Sequence, residues 1–314
     1  MTHSTVTVLA GGISHEREVS LRSGRRVADA LTSTGLSVSL IDPDASLLSH
    51  LAGDSPGAVW PALHGSSGED GALLDLLRAG GHRYVGPSPE SARLAWHKPT
   101  TKTLAGRAGL STAASLTLAR EAFRELGASA VLELIVKNLG EHLVVKPAQG
   151  GSAQGVTIVT RAADLPRAMV EAFTYAEEAL VEKFVAGTEV GVTLLNRGNG
   201  VEVLPAVEIV PLDGVYSFEA RYNAGETTFY APARLSDETA ERVAAAALSV
   251  YELLGLDFLA RIDLIVDGSG QPWLLEANAL PGLTETSLVP LAIEAAGYDL
   301  AEIFAALVAR AQAS

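Results

Sequence analysis

Apolar and polar residues alternate over the first third of the chain in blocks that predict a repeated order of strand and helix. An apolar run at residues 5–10 ends at a pair of glycines, and an amphipathic pattern follows over residues 17–31. Further apolar runs lie at residues 37–42 and 58–63. This order is typical of a doubly wound α/β domain with a parallel sheet. The third run places His64 at the carboxyl edge of that sheet, where open α/β folds bind ligands.

A glycine-rich connection joins two short apolar runs in the middle of the chain. The segment HLVVKPAQGGSAQGVTIV places residues 149–155 between the runs, with Lys146 at the base. Backbone N–H groups of such a connection can fold over a phosphate, although no Gly-Lys-Ser/Thr precedes a helix, as a Walker loop requires. A flexible hairpin is the alternative. Upstream, Lys98 and Lys102 are four residues apart in one helix predicted over residues 91–109, so they share a face.

Further helical patterns run over residues 119–140 and 163–177, and Ser236 and Asp299 are predicted to cap two later helices. Residues 213–235 are rich in aromatic and polar side chains and lack a clear periodicity. Long irregular segments inside compact domains are often active-site lids. We therefore expect a lid between the middle and the end of the chain.

The most informative stretch is a predicted hairpin, ARIDLIVDGSGQPWLLEAN, in which two apolar runs flank a turn-forming segment. Side chains alternate along a strand, so Arg261 and Asp263 share one face. The same parity places Glu276 and Asn278 together on the second strand. With the turn centred on Ser269, we expect Arg261 opposite Glu276, and Asp263 diagonally within reach of Glu276.

Two converging carboxylates resist ionisation unless a cation shares them. Asp, Glu and Asn side chains supply the oxygen ligands that suit Mg²⁺, which proteins usually hold with one or two carboxylates and substrate phosphates. An ion pair on a half-exposed sheet is the alternative interpretation. The segment from Leu280 to Thr284 then turns the backbone, and a helix is predicted to start near Ser287. Exposed N–H groups at such a turn and helix N-terminus can hold an anion or a developing oxyanion.

Charge and composition narrow the functional classes. The net charge of −14 argues against bulk nucleic-acid binding, so an anionic ligand has to be met by clustered Lys and Arg. The absence of cysteine excludes disulfides, thiol catalysis and zinc–thiolate sites. The first residues lack the basic region and apolar core of a signal peptide, and no apolar run approaches membrane length. We therefore expect a cytoplasmic enzyme without nucleic-acid or membrane partners.

The run RIDLIVDGSGQPWLLEANALPGLTETSLVP resembles the C-terminal signature of D-alanine–D-alanine ligases, a family of the ATP-grasp superfamily. The pattern GG-x-S-x-E-x-EVS-x-x-S-G, the segment LHGSSGEDG and the glycine-rich connection match further blocks, so that six blocks cover nearly the whole chain in the family's order. The resemblance implies an N-terminal substrate-binding α/β domain followed by a two-lobed ATP-grasp domain. The expected ranges are residues 1–95 for the N-terminal domain, 96–186 for the central lobe and 187–314 for the C-terminal lobe.

The resemblance also implies a role for each matched residue. The implied catalytic residues are Glu16, Ser152, Tyr222, Arg261 and Gly282. The implied substrate-binding residues are His64, Ser287 and Leu288. The implied ATP-binding residues are Lys98, Lys146, Glu182, Lys183, Val185, Glu189 and Arg221, with either Glu182 or Glu189 on the ribose. The implied ligands of two Mg²⁺ (or Mn²⁺) ions are Asp263, Glu276 and Asn278.

The implied reaction is phosphorylation of one D-alanine by ATP, followed by attack of a second D-alanine to give the dipeptide, ADP and phosphate for peptidoglycan precursor synthesis. Members of the family are commonly homodimers. Two departures stand out, because Arg221 replaces a usual lysine and Ala153 replaces a usual serine. These keep open a related ligase that makes another dipeptide or depsipeptide. A nucleotide-binding regulator without turnover is the rival from another class, and the intact set of magnesium ligands argues against it.

Overall fold

The computed structural model describes residues 5–53, 57–223 and 225–313. Within these ranges the strands form three β-sheets, and no helix combines the length and apolar character needed to span a membrane. The expectation about the N-terminal segment rests partly on residues 1–4, which lie outside the described residues. The mixed α/β fold predicted from the sequence is confirmed.

The first sheet is parallel, with the order β2-β1-β3. Its strands are β1 (Thr5–Leu9), β2 (Ser37–Ile41) and β3 (Ala58–Pro61). The helices around it are α1 (Arg17–Ser33), α2 (Leu47–Gly53) and α3 (Ala72–Ala79). Helix α1 buries Val19, Val27 and Leu31, which recur at the spacing of one helix face. The carboxyl ends of β1 and β3 therefore lie side by side, and His64 follows β3 at that edge.

The second sheet is antiparallel, with the order β4-β7-β5-β6. Its strands are β4 (Ser115–Ala119), β5 (Leu143–Pro147), β6 (Thr157–Val159) and β7 (Glu178–Lys183). The helices of this part are α4 (Pro89–Trp96), α5 (Lys98–Arg107), α6 (Arg120–Glu125), α7 (Ala128–Leu139) and α8 (Leu165–Tyr175). The predicted glycine-rich connection joins β5 to the antiparallel β6.

The third sheet has the order β11-β10-β8-β12-β13, with β9 paired to β8. Its strands are β8 (Thr188–Asn196), β9 (Val201–Val203), β10 (Val207–Pro211), β11 (Thr227–Tyr230), β12 (Leu259–Val266) and β13 (Pro272–Asn278). The helices are α9 (Phe218–Tyr222), α10 (Asp237–Leu253), α11 (Leu288–Ala295) and α12 (Leu300–Ala313). The predicted caps are present, because the Ser236 side chain accepts from the Thr239 N–H and the Asp299 side chain accepts from the Glu302 N–H.

The first and third sheets share their apolar cores, whereas the second sheet has a core of its own. Trp60 of β3 packs against Phe304 of α12 with ring centroids 4.9 Å apart. The core of the second sheet is drawn from residues 131–181, and Ile135 and Met169 are fully buried in it. Burial of apolar area dominates the stability of such contacts. The second sheet is therefore held together largely by its own residues.

Two predicted elements differ from the structure. The single helix expected over residues 91–109 is two helices, α4 and α5, that meet at His97 in an extended conformation. Pro99 has no N–H that could continue the hydrogen bonding of α4. A new helix, α5, therefore begins at Lys98. The irregular segment 213–235 contains α9 and β11, because Ser217 caps α9 and β11 pairs with β10. Residue 224 of that segment lies outside the described residues.

Candidate active site

The hairpin of β12 and β13 carries the four predicted polar residues on one face, but the register differs from the expected one. Arg261 lies opposite Asn278, and Asp263 lies opposite Glu276. The expectation that Arg261 faces Glu276 was wrong by two residues. A β-bulge between Asp263 and Leu264 accounts for one of them, and the count from a turn centred on Ser269 was itself one residue short. The shift brings the two carboxylates directly across from each other, which is a closer approach than the predicted diagonal.

This face is also more buried than a half-exposed sheet. Arg261 and Asp263 are 8% and 3% exposed. The Arg261 guanidinium donates two hydrogen bonds to the Asp263 carboxylate, at 2.7 and 2.8 Å, and the Asn278 amide donates to the same carboxylate at 3.1 Å. A paired and hydrogen-bonded arrangement is required for charges at this depth. The pair is therefore part of a built polar site.

A cleft of about 480 Å³ lies between the second and third sheets. All of the residues predicted to bind ATP line it, together with two of the predicted metal ligands: Lys98, Lys146, Glu182, Lys183, Val185, Glu189, Arg221, Asp263 and Glu276. Apolar side chains, among them Ile209 and Leu274, form much of the remaining wall. A concave site with apolar walls and a few convergent charges is the usual form of a small-molecule site.

The buried lysines in and beside the cleft are held by internal partners. The Lys98 ammonium lies 3.2 Å from a carboxylate oxygen of Glu276 and donates to the Gly150 carbonyl at 2.5 Å. Lys102 and Lys146 both contact the Glu182 carboxylate, Lys102 at 2.6 Å. These lysines are buried. An anion that enters the cleft therefore meets cations already positioned by carboxylates.

Glu182 and Glu189 were equal candidates for a ribose contact, and their surroundings now distinguish them. One oxygen of Glu182 contacts Lys102 and the other contacts Lys146, and these cations lower the pKa of Glu182 against the effect of burial. Glu189 lines the cleft, where burial raises its pKa to about 7 and the Arg221 guanidinium opposes the rise. The geometry favours Glu189 for the ligand contact and Glu182 for holding the lysines.

A smaller pocket of about 50 Å³ borders the same polar face of the hairpin, next to the cleft. The remaining predicted residues line it: Glu16, His64, Ser152, Tyr222, Arg261, Asn278, Gly282, Ser287 and Leu288. The Ser152 hydroxyl contacts the Glu16 carboxylate and lies 2.7 Å from the Tyr222 hydroxyl. Glu16 follows β1, Ser152 lies in the glycine-rich connection and Tyr222 lies on α9. Three distant segments thus meet over this pocket.

The glycine-rich connection approaches Glu16 at very short range. A side-chain carbon added at Gly151 would lie 2.8 Å from a Glu16 oxygen, so glycine is required for this approach. Ser152 and Ala153 follow with φ angles of 52° and 57°, in the left-handed region that side chains disfavour. Burial raises the pKa of Glu16, the Glu69 charge acts in the same direction, and the Ser152 hydroxyl opposes both.

The turn after β13 is fixed by short polar contacts. The Ser287 hydroxyl accepts from the Thr284 N–H at 2.9 Å, and the Thr286 hydroxyl donates to the Arg221 carbonyl at 3.0 Å. The second contact ties α9 to the turn. The Arg221 guanidinium lies 4.1 Å from the centre of the Tyr216 ring. The arginine that replaces a usual lysine is therefore stacked on an aromatic face and cannot move as a lysine does.

Three residues of this region were not assigned a role from the sequence. Lys102 holds Glu182, Glu69 lies beside His64, and Ser23 contacts both His64 and the turn after β13. The spacing of Lys102 from Lys98 was a usable signal, because residues four apart share a helix face. Ser23 could not be singled out, because its contacts join segments far apart in the chain. Glu69 lies only five residues after His64, so the segment LHGSSGEDG already contained its signal.

The donor set of the hairpin fits a hard cation. Asp263, Glu276 and Asn278 offer two carboxylates and one amide oxygen, which suit Mg²⁺ and exclude soft metals. Across the described ranges, no three His, Cys, Asp or Glu side chains converge on a possible metal position. A site on this face therefore depends on the amide and on oxygens supplied by a bound phosphate.

Comparison with known proteins agrees with this geometry. Residues 104–309 match the family described as D-ala D-ala ligase C-terminus. A D-alanine–D-alanine ligase of Bordetella petrii is 39% identical over 306 residues, which cover 98% of this chain and 91% of that protein. The corresponding ligase of Gloeobacter violaceus is also 39% identical and covers 97% and 98% of the two chains.

Solved structures give the same result. The D-alanine–D-alanine ligase of Bacillus anthracis in complex with ATP has a TM-score of 0.82 at 26% identity, covering 98% of this chain and 97% of that one. The VanG D-Ala:D-Ser ligase of Enterococcus faecalis has a TM-score of 0.83 at 26% identity, covering 99% and 100%. Fold and cleft define an enzyme of the ATP-grasp class. The chain belongs to the D-alanine–D-alanine ligase family.

Proposed function

We propose that the protein joins two D-alanine molecules at the expense of ATP, through an acylphosphate, and releases ADP and phosphate. One observation carries the proposal. The polar face of the β12–β13 hairpin forms the common border of the large cleft and the small pocket, because Arg221 lines both of them and Asp263 and Arg261 face one each. A phosphoryl group bound in the cleft can therefore reach a carboxylate bound in the pocket.

On the nucleotide side, the chain supplies fixed positive charge for a polyphosphate. Lys146 lies near the end of β5, and Lys98, at the start of α5, donates to the Gly150 carbonyl in the loop that follows β5. Catalysis of phosphoryl transfer is mostly positioning and charge stabilisation, so pre-positioned cations are the main contribution a protein makes. Lys183 ends β7 and Val185 follows it; both would contact adenine, with Glu189 on the ribose.

On the amino-acid side, Glu16 would hold the ammonium group of the first D-alanine, under the cover of Ser152 and Tyr222. Arg261 and the Gly282 N–H would stabilise the oxyanion that forms when the second amine attacks. His64, Ser287 and Leu288 would line the site of the second D-alanine. Each of these groups borders the same small pocket.

Asp263, Glu276 and Asn278 would hold two Mg²⁺ (or Mn²⁺) ions. When bound, such ions neutralise charge on the transferring phosphate oxygens. In the structure these carboxylates are partnered by Arg261 and Lys98. Those two cations therefore have to share or yield their carboxylates when the nucleotide and the ions enter.

The direct test combines the purified protein with ATP, magnesium and D-alanine, and follows phosphate release and dipeptide mass together. The proposal predicts one ADP and one phosphate for each D-alanyl-D-alanine, and no dipeptide with L-alanine. Phosphate release without dipeptide would identify a simple ATPase. Absence of both would favour a nucleotide-binding regulator.

A ligase with a different second substrate is the alternative. The resemblance in fold to the VanG D-Ala:D-Ser ligase and the stacked Arg221 favour considering it. D-Serine and D-lactate offered in competition with D-alanine separate the candidates. A product dominated by D-alanyl-D-alanine supports the first proposal.

The proposal extends to the setting of the enzyme. A cytoplasmic location, a homodimer and a role in peptidoglycan precursor synthesis follow from the family. The division into residues 1–95, 96–186 and 187–314 is part of the same proposal. Limited proteolysis and sedimentation of the purified protein test the division and the dimer.

A further inference from the structure

A fully buried serine of α1 joins the N-terminal sheet to the turn after β13. The Ser23 hydroxyl accepts a hydrogen bond from the Leu283 N–H at 3.2 Å and lies 2.9 Å from Nε2 of His64. The other ring nitrogen of His64, Nδ1, lies 3.4 Å from a carboxylate oxygen of Glu69. One hydroxyl thus contacts the next residue after Gly282 and a side chain that borders the small pocket.

The number of protons on these groups indicates which atom donates in each hydrogen bond. The Leu283 N–H has to donate to Ser23, so the hydroxyl accepts there and has one proton left to donate. If Ser23 donates to Nε2 of His64, the ring proton sits on Nδ1 and points to the Glu69 carboxylate. In the opposite tautomer the Ser23 oxygen would accept from both N–H groups, so its own proton would lack either of these partners, and the Nδ1 lone pair would face a carboxylate.

We propose that Ser23 is a positioning residue for ligation, which holds the 280–284 turn against His64 and, together with Glu69, keeps His64 in its Nδ1–H tautomer. The inference rests on the proposed function, because that function assigns Gly282 to the oxyanion and His64 to the second D-alanine. Through Leu283, Ser23 fixes the backbone of Gly282. Through His64, it helps to fix which ring nitrogen carries the proton.

A second contact between α1 and the turn is a weak substitute. Arg22 and Glu285 form an ion pair at 3.1 Å, with side chains 37% and 66% exposed. Solvent-exposed pairs of this kind contribute little to holding a geometry. A buried hydroxyl with two partners is directional and is not screened. Of these two contacts between α1 and the turn, the one made by Ser23 is therefore the one that fixes their relative position.

Ser20 offers a matched control on the same helix. It is as fully buried as Ser23, accepts from the Gly11 N–H at 2.8 Å and donates to the Ala62 carbonyl at 2.7 Å. Ser20→Ala therefore removes one buried hydroxyl with two partners, one helical turn from Ser23, without touching His64 or Leu283. Any effect shared by both variants reflects lost stability alone.

The experiment has two parts. The first records long-range ¹⁵N–¹H spectra of wild-type enzyme well above the ordinary histidine pKa of about 6.5, with His64 signals identified by their loss in His64→Gln. The second compares Ser23→Ala with Ser20→Ala in tautomer, melting temperature, kcat and the KM values for ATP and the second D-alanine.

We expect His64 to be in the Nδ1–H form in the wild type. In Ser23→Ala the Glu69 carboxylate still faces Nδ1, so we expect that form to persist while the Nε2 resonance loses the shift caused by its hydrogen bond to Ser23. Ser20→Ala should leave both unchanged. We expect kcat of Ser23→Ala to fall about 10- to 100-fold through misplacement of the turn, with a higher KM for the second D-alanine and an unchanged KM for ATP. An Nε2–H wild type, or equal kinetics of the two variants, overturns the proposal. The tautomer needs no substrate, so failure of the proposed function would show separately, as absent ligation by the wild type.

Discussion

The two pockets that border the β12–β13 hairpin differ in size and in how their polar groups are held. The nucleotide cleft, about 480 Å³, has apolar walls and carries two buried lysines, Lys98 and Lys146, that are paired with carboxylates. The amino-acid pocket, about 50 Å³, is closed by hydroxyl and carboxylate contacts between three separate segments. The charged side chains of the cleft are thus held mostly by strands, whereas the pocket is formed where separate segments of the chain meet.

This difference has a consequence for catalysis. Charges held by strands keep their places in the empty enzyme, so the cleft needs little rearrangement to accept a polyphosphate. The pocket is complete only when Glu16, Ser152 and Tyr222 meet. Loss of charge in the cleft is therefore expected to slow the chemical step, and changes over the pocket are expected to alter which amino acids react.

The largest expected effect comes from removing charge at the shared border. Glu276→Gln is expected to lower turnover about 100- to 1000-fold. Its melting temperature is expected to fall less than that of Asp263→Asn, because Glu276 is only partly buried and Lys98 keeps the Gly150 carbonyl as a partner. Steady-state phosphate release at saturating magnesium measures the first effect, and thermal unfolding measures the second. Turnover close to that of the wild type would remove the metal assignment.

Asp263→Asn is expected to lose activity to a similar degree and stability as well. Asp263 is buried against Arg261, and an unpaired guanidinium at that depth costs about 3 kcal/mol. Urea unfolding of Asp263→Asn beside Glu276→Gln checks the contrast. Equal stability of the two variants would contradict the buried pairing.

A smaller effect is expected from Tyr222→Phe, which keeps the ring and removes the hydroxyl that contacts Ser152. Leaving Ser152 and Glu16 less satisfied costs about 1–3 kcal/mol. The attacking amine must lose a proton, whereas D-lactate brings no positive charge into the site. The variant is therefore expected to gain D-alanyl-D-lactate relative to dipeptide. Product ratios between about pH 6 and 9 measure this, and an unchanged ratio would show that Tyr222 only packs.

Glu189 provides a pH test of the cleft. Burial raises its pKa to about 7 from 4.5, so the folded protein binds this proton more tightly than the unfolded chain. Its contribution to stability is complete below about pH 4.5 and is lost as the pH rises through about 7. Glu189→Gln is expected to match the wild type in unfolding free energy near pH 4.5 and exceed it at pH 8. A constant difference across this range would contradict the shift.

The smallest effect concerns the connection over the pocket. Ala153 has φ of 57°, so Ala153→Gly is expected to stabilise the fold by about 1 kcal/mol through relief of a left-handed conformation. Ala119, at φ −73°, is the control, because glycine there only adds disorder to the unfolded chain. Urea unfolding should show a higher free energy of unfolding for Ala153→Gly and a lower one for Ala119→Gly.

The sequence predicted local elements well and long-range geometry less well. The hairpin of β12 and β13 and the caps at Ser236 and Asp299 depend on neighbouring residues, and all three are present. The bulge that places Asp263 opposite Glu276 depends on packing across the sheet, which a count from the turn does not contain. The helix break at His97 was missed although Pro99 signalled it.

For the candidate site, too, the sequence predicted the residues but not their long-range contacts. Residue types and the family resemblance predicted many of the residues that line each pocket. The partners of those residues could not be predicted, because Glu182 with its two lysines and Ser23 with His64 and Leu283 join positions many residues apart. No local pattern encodes such contacts.

The central claim is that a phosphoryl group passes across the β12–β13 face to the carboxylate of the first D-alanine. The direct measurement uses D-alanine labelled with ¹⁸O in its carboxylate, in a single turnover with ATP, followed by mass analysis of phosphate and nucleotide. The account predicts one ¹⁸O atom in the released inorganic phosphate and none in ADP. Label in a nucleotide product instead would show adenylation of the carboxylate and would contradict the account.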